Sequence, residues 1–222
     1  MTGSPGPRPS RLPRSFFARS SLEVAPDLLG CTVEHAGVTV RITETEAYAG
    51  RDDPGSHAFR GETPRTRVMF GPAGFLYVYF TYGMHFCANV VCGQEGRASA
   101  VLLRAGEVVH GFDLAARGRD HLMLRDRARG PARLATALGL DGSHTDRDFC
   151  RPALRRPTPR APLDLVVRAP AAPVDPERIR TGPRVGVSGA GGDGVAYAWR
   201  FWVAGDPTVS AYRPGRVRSA PS

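Results

Sequence analysis

The feature that most restricts the fold is a run of alternation in the second half of Cys31–Tyr48. Val38, Val40 and Ile42 are apolar, with Thr39 and Arg41 between them. A period of two places successive side chains on opposite faces of a strand. Continued, the same alternation predicts that Glu44, Glu46 and Tyr48 share the face of Val38, Val40 and Ile42. An apolar face would then run into two carboxylates and a phenol. A partly desolvated carboxylate needs a cation or hydrogen-bond donors. A strand-borne Glu taken alone is more often half of a structural ion pair than a reactive group.

Cys31–Tyr48 reads as two strands joined by a turn near His35–Gly37. A short helix is expected within Phe16–Leu29. Gly50–Pro72 is polar and broken by Gly and Pro, a long loop of the kind that carries function in a compact domain. Phe75–Tyr82 and His85–Val91 are β-prone, and Gly83 between them predicts a tight hairpin or bulge. Tyr77 and Tyr79 face together and Tyr82 faces away. Ala100–Ala105 is a further strand. Gly111–Leu140 holds helical material, broken at Gly130-Pro131 before Arg133–Leu138. Residues 151–162 and 169–183 read as Pro/Arg-rich connections, and Arg184–Ser188 and Ala196–Ala204 as closing strands. Gly189–Gly194 lacks the Lys and the strand–loop–helix setting of a phosphate loop, so a hairpin loop is expected. Strands without regular βαβ alternation predict a single α+β domain: a curved, mostly antiparallel, open barrel-like sheet with surrounding helices.

The chain has 222 residues, enough for one core, and no apolar run of the ~20 residues a membrane helix needs. The net charge of +9 points to a polyanionic partner. Its location tempers this. Arg8, Arg11 and Arg14 at the N-terminus and Arg213, Arg216 and Arg218 at the C-terminus supply +6, which leaves +3 for residues 15–212. The expected organisation is a disordered basic arm over 1–15, one domain over 16–212, and a basic tail over 213–222. No secretory leader pattern is present, and an intracellular protein is expected. All 30 basic residues are Arg; there is no Lys. Cys31, Cys87, Cys92 and Cys150 show no disulfide framework, and His85, Cys87 and Cys92 have weak spacing for a metal; none is expected.

What raises Glu46 above an ordinary ion-pair partner is its company: Tyr48, His57, Tyr77, Tyr79, Tyr82, Asn89 and Arg104. The stretch Arg41–Tyr48, then Asp52–His57, Thr63–Arg67, Met69-Phe70, and Leu76–Tyr79 through Tyr82-Gly83-Met84 to Asn89 resembles the alkyladenine (3-methyladenine) DNA glycosylase family. So do Val101–Ala105, Gly130–Leu134 and Arg184–Val187. The match runs in order from Phe16 to Tyr212. It departs between His57 and Thr63, where the loop is about one residue short, and over residues 151–162.

The resemblance implies roles residue by residue. Glu46 matches the general base that activates water, and Arg104 and the carbonyl of Val185 match groups that hold that water. Tyr48, His57 and Tyr79 match the walls around an extruded base. Asn89 matches the residue that disfavours the exocyclic amine of guanine, and Tyr82 the wedge that fills the gap in the duplex. The implied activity is excision of alkylated or deaminated purines from double-stranded DNA; no cofactor is expected, and a monomer is expected because one active site faces one nucleotide. The expected location is the cytoplasm, at the nucleoid, in a bacterium, or the nucleus in a eukaryote. Glu44 is expected to be structural. With no Lys to form a Schiff base, hydrolysis without strand cleavage is expected. Two other readings stand beside this one: a catalytically silent nucleic-acid-binding domain, and an unrelated α+β enzyme for a small substrate.

Overall fold

A computed structural model describes residues 9–81, 83–150 and 163–215. Among these, two short helices, α1 (Arg14–Phe17) and α2 (Ser21–Asp27), precede the sheet. Ser20 starts α2 by a capping box: its hydroxyl accepts from Glu23 N, and Glu23 accepts from Ser20 N at 3.1 Å. The sheet is built from β1 (Thr32–His35), β2 (Val38–Tyr48), β3 (Leu76–Thr81), β4 (His85–Val91), β5 (Ala100–His110), β6 (Val166–Arg168), β7 (Ile179–Gly182) and β8 (Arg200–Val203). Helices α3 (Phe112–Ala116) and α4 (Pro131–Ala137) follow β5.

The strands run β3-β4-β5-β2-β1-β6, all antiparallel, and the sheet is open as predicted. β8 pairs with both β7 and β2. Strand β2 therefore changes partner along one edge: Val38–Arg41 pair with β1, and Glu44–Glu46 pair with β8. The β1–β2 turn is two residues, Ala36 and Gly37, both at positive φ (47° and 77°). That twist matches a tight hairpin.

One apolar cluster fills one side of the sheet; it joins Val38, Val40 and Ile42 with Val24 of α2, Leu134 of α4 and Leu138 just beyond it. A second, smaller cluster lies beneath the 50–72 loop and includes Ala58, Val68, Met69, Phe75 and Tyr77. Covered on both faces, Ile42 through Ala47 are all buried.

Four sequence expectations change here. The first concerns the carboxylates. The β2–β5 register shifts between Ile42 and Glu44 and again between Glu44 and Thr45. Beyond that irregularity Ala47 joins the core of Ile42, and Thr45 Oγ1 donates to Ala25 O near α2. Glu44 and Glu46 are thus turned away from the face of Val38, Val40 and Ile42, because a slip in the ladder inverts which face each side chain takes. Second, Arg184–Ser188 is not a strand. Gly186 has φ 76°, and the strand here is β7, inside the supposed connection 169–183. Third, β5 extends to His110, and β6 pairs with β1 where no strand was expected. Fourth, the part of the N-terminal arm within the described residues is docked. Arg11 donates to Leu165 O at 2.7 Å and Arg14 to Asp148 Oδ2 at 2.7 Å, and Leu12 N bonds Val167 O. Residues 151–162 lie outside the described residues.

Candidate active site

The site forms where the irregular end of β2 meets β5, β8 and the segment after β7. Glu46 has no exposed surface. Its Oε1 accepts from the backbone N–H of Val185 at 2.7 Å, and its Oε2 accepts from the Tyr48 hydroxyl at 2.8 Å. Arg104 Nη1 lies 3.5 Å from Oε1. Two hydrogen bonds and a guanidinium satisfy a carboxylate that burial would otherwise penalise. The resemblance implies a part for the carbonyl of Val185; what reaches Glu46 is its N–H.

Glu44, two residues earlier, is occupied differently. Its Oε1 accepts from Arg104 Nε (2.9 Å), Arg200 Nε (2.6 Å) and Ser210 Oγ (3.0 Å), and its Oε2 from Ser210 N (2.8 Å). Four donors hold it against two buried guanidiniums. Glu44 therefore ties β2, β5, β8 and the 210 segment together. Arg104 bridges the two carboxylates, and its burial is offset by both.

The aromatic groups gather beside this pair. Burial and the neighbouring Glu46 raise the Tyr48 phenol well above its ordinary pKa, so it stays a donor. Burial likewise raises Tyr79 and Tyr77. The His57 and Tyr79 rings meet edge-on at 4.7 Å, and Tyr79 stacks obliquely on Tyr77 at 5.3 Å. His57 Nδ1 and the Tyr77 hydroxyl are 3.2 Å apart. Burial, then the charge of Arg65, push His57 down to about 4, although the residue as a whole is exposed. The imidazole is neutral at pH 7. Asn89, buried on β4, donates from Nδ2 to Tyr77 O at 3.0 Å, which leaves its amide oxygen as acceptor. Tyr82, the expected wedge, lies outside the described residues. Of the described residues near it in the chain, Phe80 and Met84 are exposed.

Two surface clefts, of about 730 and 530 Å³, lie elsewhere. The first is lined by Ser20, Arg51, Phe70 and Arg97, the second by Glu34, His35, His110 and Arg168; Glu46 lines neither. Geometry outweighs cavity size here, because the convergent donors are at Glu46. The burial of Glu46 is compatible with a reactive role, since free enzymes often tighten their catalytic contacts only around substrate. Of the weak metal string, Cys87 and Cys92 are buried with raised thiol pKa values, and His85 is exposed. Among the described residues no three His, Cys, Asp or Glu side chains gather as a metal group.

Sequence reasoning assigned no part to Arg184 or Asp53. Arg184 is buried and grips Asp53 with two contacts of 2.6 Å. It also donates to Ala47 O (3.0 Å) and Gly191 O (2.8 Å), and its guanidinium lies 4.6 Å from the Tyr48 ring centre. The only signal in the sequence was its place beside Val185, in one of the matching segments.

Known proteins resemble this chain along most of its length. A family model described as methylpurine-DNA glycosylase matches residues 15–207. A protein of Streptomyces avermitilis named "Putative 3-methyladenine DNA glycosylase" is 53% identical over 213 residues, covering 92% of this chain and 94% of its own length. Proteins of the same name from Frankia casuarinae and Leifsonia xyli are each 50% identical, over 208 and 210 residues, covering 90% of this chain and 92% of their own.

Proposed function

Because this chain belongs to the methylpurine-DNA glycosylase family, we propose that it excises damaged purines, 3-methyladenine among them, from double-stranded DNA, with Glu46 activating the water. It is a DNA glycosylase, a hydrolase of N-glycosyl bonds. The observation that carries the assignment to Glu46 is a fully buried carboxylate held by Val185 N–H, the Tyr48 hydroxyl and Arg104, beside a cluster of neutral aromatic rings. A silent nucleic-acid binder has no use for a buried anion near a phosphate-rich ligand, which it repels.

The target nucleotide leaves the helix, since its glycosidic carbon cannot be attacked inside the stack. Tyr82 fills the gap it leaves. Tyr48, His57 and Tyr79 take the base between them. An N-alkylated purine is cationic, and neutral aromatic faces attract it by about 0.5–2 kcal/mol. Asn89 disfavours the exocyclic amine of guanine. As the bond from C1′ to the base nitrogen breaks, its electron pair goes to the base, and the sugar gains oxocarbenium character. Ionised Glu46 stabilises that charge and takes a proton from the water that adds to C1′. The products are a free base and an intact abasic site. Arg104 and Val185 hold the water and keep the carboxylate oriented. Glu44, with four donors on it, serves as the strut behind Arg104.

The reading extends to the rest of the molecule. Residues 16–212 are read as the glycosylase domain, with Arg11 and Arg14 docked against it, and the other arginines of the basic ends, 1–15 and 213–222, as adding attraction for phosphates. One site facing one nucleotide suits a monomer. Among the described residues no helix is long and apolar enough to cross a membrane, and the relatives are bacterial, which fits work at the nucleoid.

The test uses duplexes carrying a single 3-methyladenine, hypoxanthine or ethenoadenine. After incubation with the purified chain, hot alkali cuts any abasic site. Cleavage at the lesion is expected; no cleavage on any of the three sinks the proposal. Glu46→Gln should bind the lesion duplex and release no base, and full activity in that variant would remove Glu46 from the mechanism.

A further inference from the structure

We infer that Arg184 is a positioning residue for Glu46, acting through both donors that hold the carboxylate. The inference rests on Glu46 being the base. Oε1 is held by the N–H of Val185, the next residue along the chain, so the backbone placed by the Arg184 anchor carries that donor. Oε2 is held by the Tyr48 hydroxyl, and the Arg184 guanidinium stacks on the Tyr48 ring at 4.6 Å. One side chain thus backs both contacts, although it touches no oxygen of Glu46 itself.

The anchor is built for a fork. The two terminal nitrogens of Arg184 carry four contacts: two to the Asp53 carboxylate, one to Ala47 O and one to Gly191 O. Its Nε is buried without a partner. The backbone parts around it. A Cβ on Gly55 would stand 2.4 Å from Arg184 Nη2, and one on Gly191 would stand 2.2 Å from Gly55 N. Gly55 leaves room for the guanidinium, and Gly191 lets the 190–192 turn close on the backbone of the 49–57 loop. Asp53 also accepts from Ala49 N and Gly55 N, so the same pair fixes the loop that leads from Tyr48 to His57. Asp53 neutralises the positive charge of Arg184, so geometry, and not net charge, is what the pair supplies. Lys would keep the charge but has one point to donate from, where this site uses a planar fork.

A purely structural ion pair would lower stability and leave the chemistry of folded molecules alone. A positioning residue slows the chemical step. The experiment is single-turnover excision of ethenoadenine with enzyme in excess, well below each variant's melting temperature, for Arg184→Lys and the milder Asp53→Asn. We expect the maximal rate to fall roughly 100-fold for Arg184→Lys, with the half-saturating enzyme concentration held within about threefold. In a Tyr48→Phe background Arg184→Lys should cost less than it does alone, because part of its effect travels through the lost hydroxyl. A wild-type maximal rate in folded Arg184→Lys, or fully additive effects with Tyr48→Phe, would overturn the inference. If Arg184→Lys does not fold, Asp53→Asn decides by the same criteria. Wild-type protein that cuts none of the lesions would instead refute the functional proposal, a separate outcome.

Discussion

Glu44 and Glu46 are two residues apart on one strand, equally buried, and both near Arg104, yet the structure assigns them opposite consequences on mutation. Glu44→Gln is the sharper probe. Its carboxylate takes three donors on Oε1 and one on Oε2, and two of the donors are the buried guanidiniums of Arg104 and Arg200. Gln removes the charge that both cations share. Its amide nitrogen also faces a donor wherever it is placed, since all four contacts need acceptors. Breaking a buried ion pair from one side costs about 3–5 kcal/mol. For a chain of this size each kcal/mol moves the melting temperature by about 2–4 °C, so a fall of about 6–20 °C is expected. Glu46→Gln differs. The amide oxygen can accept from Val185 N, and the amide nitrogen can donate to the Tyr48 oxygen, so both contacts survive, the second with its proton reversed. Arg104 loses its 3.5 Å contact with Glu46 but keeps Glu44, so the melting temperature should fall less than in Glu44→Gln, while excision falls at least ~100-fold through loss of the base. Thermal melts followed by circular dichroism give the first quantity, and single-turnover excision well below the melt gives the second. A Glu44→Gln protein that melts with wild type would refute the reasoning. So would a stable Glu44→Gln protein as inactive as Glu46→Gln.

Four further outcomes are expected. Tyr48→Phe removes one hydrogen bond to a charged acceptor, worth about 1.5–3 kcal/mol; expressed in the rate, that is a loss of about 10–150-fold, read by single-turnover excision. His57 should titrate near 4, not 6.5, when its ring signals are followed by NMR and assigned with His57→Gln. Because its folded pKa lies below the unfolded one, its contribution to stability is present above pH 6.5 and is lost as the pH falls towards 4; a midpoint between 6 and 7 would contradict the packing described. Tyr82→Ser should weaken binding to a lesion duplex through loss of the wedge, and unchanged affinity in a gel-shift titration would count against that role. Borohydride reduction during turnover should trap no protein–DNA adduct, since the chain has no Lys; a trapped band would point to lyase chemistry through another amine.

Much of the sheet was legible because its signals are local. Alternation marked β2, β-prone runs marked β3 and β4, and the Ala36-Gly37 turn sat where the period broke. The 50–72 loop was recognisable by its Gly and Pro, but the small core beneath it, drawn from residues between Ala58 and Ala100, was not. The segment around Arg184 was misread as a strand because Arg-Val-Gly-Val alternates. Its backbone follows the buried grip on Asp53, a residue 131 positions away.

The sequence by itself determined the chemical inventory: a carboxylate at 46, phenols at 48, 77 and 79, an arginine at 104, and no lysine anywhere. That inventory bounds the reactions open to the chain, because covalent chemistry depends on which groups exist. Tertiary structure decided which groups meet. The alternation placed Glu46 on the apolar face; the register irregularity between β2 and β5 moved it to the other one. The resemblance already set Glu46 apart from Glu44; the fold supplies the physical difference, by bringing Arg200 and Ser210 from more than 150 residues away onto one carboxylate and Val185 onto the other. A ladder slip and a long-range ion pair are properties of two distant segments together, so neither segment's own pattern can contain them.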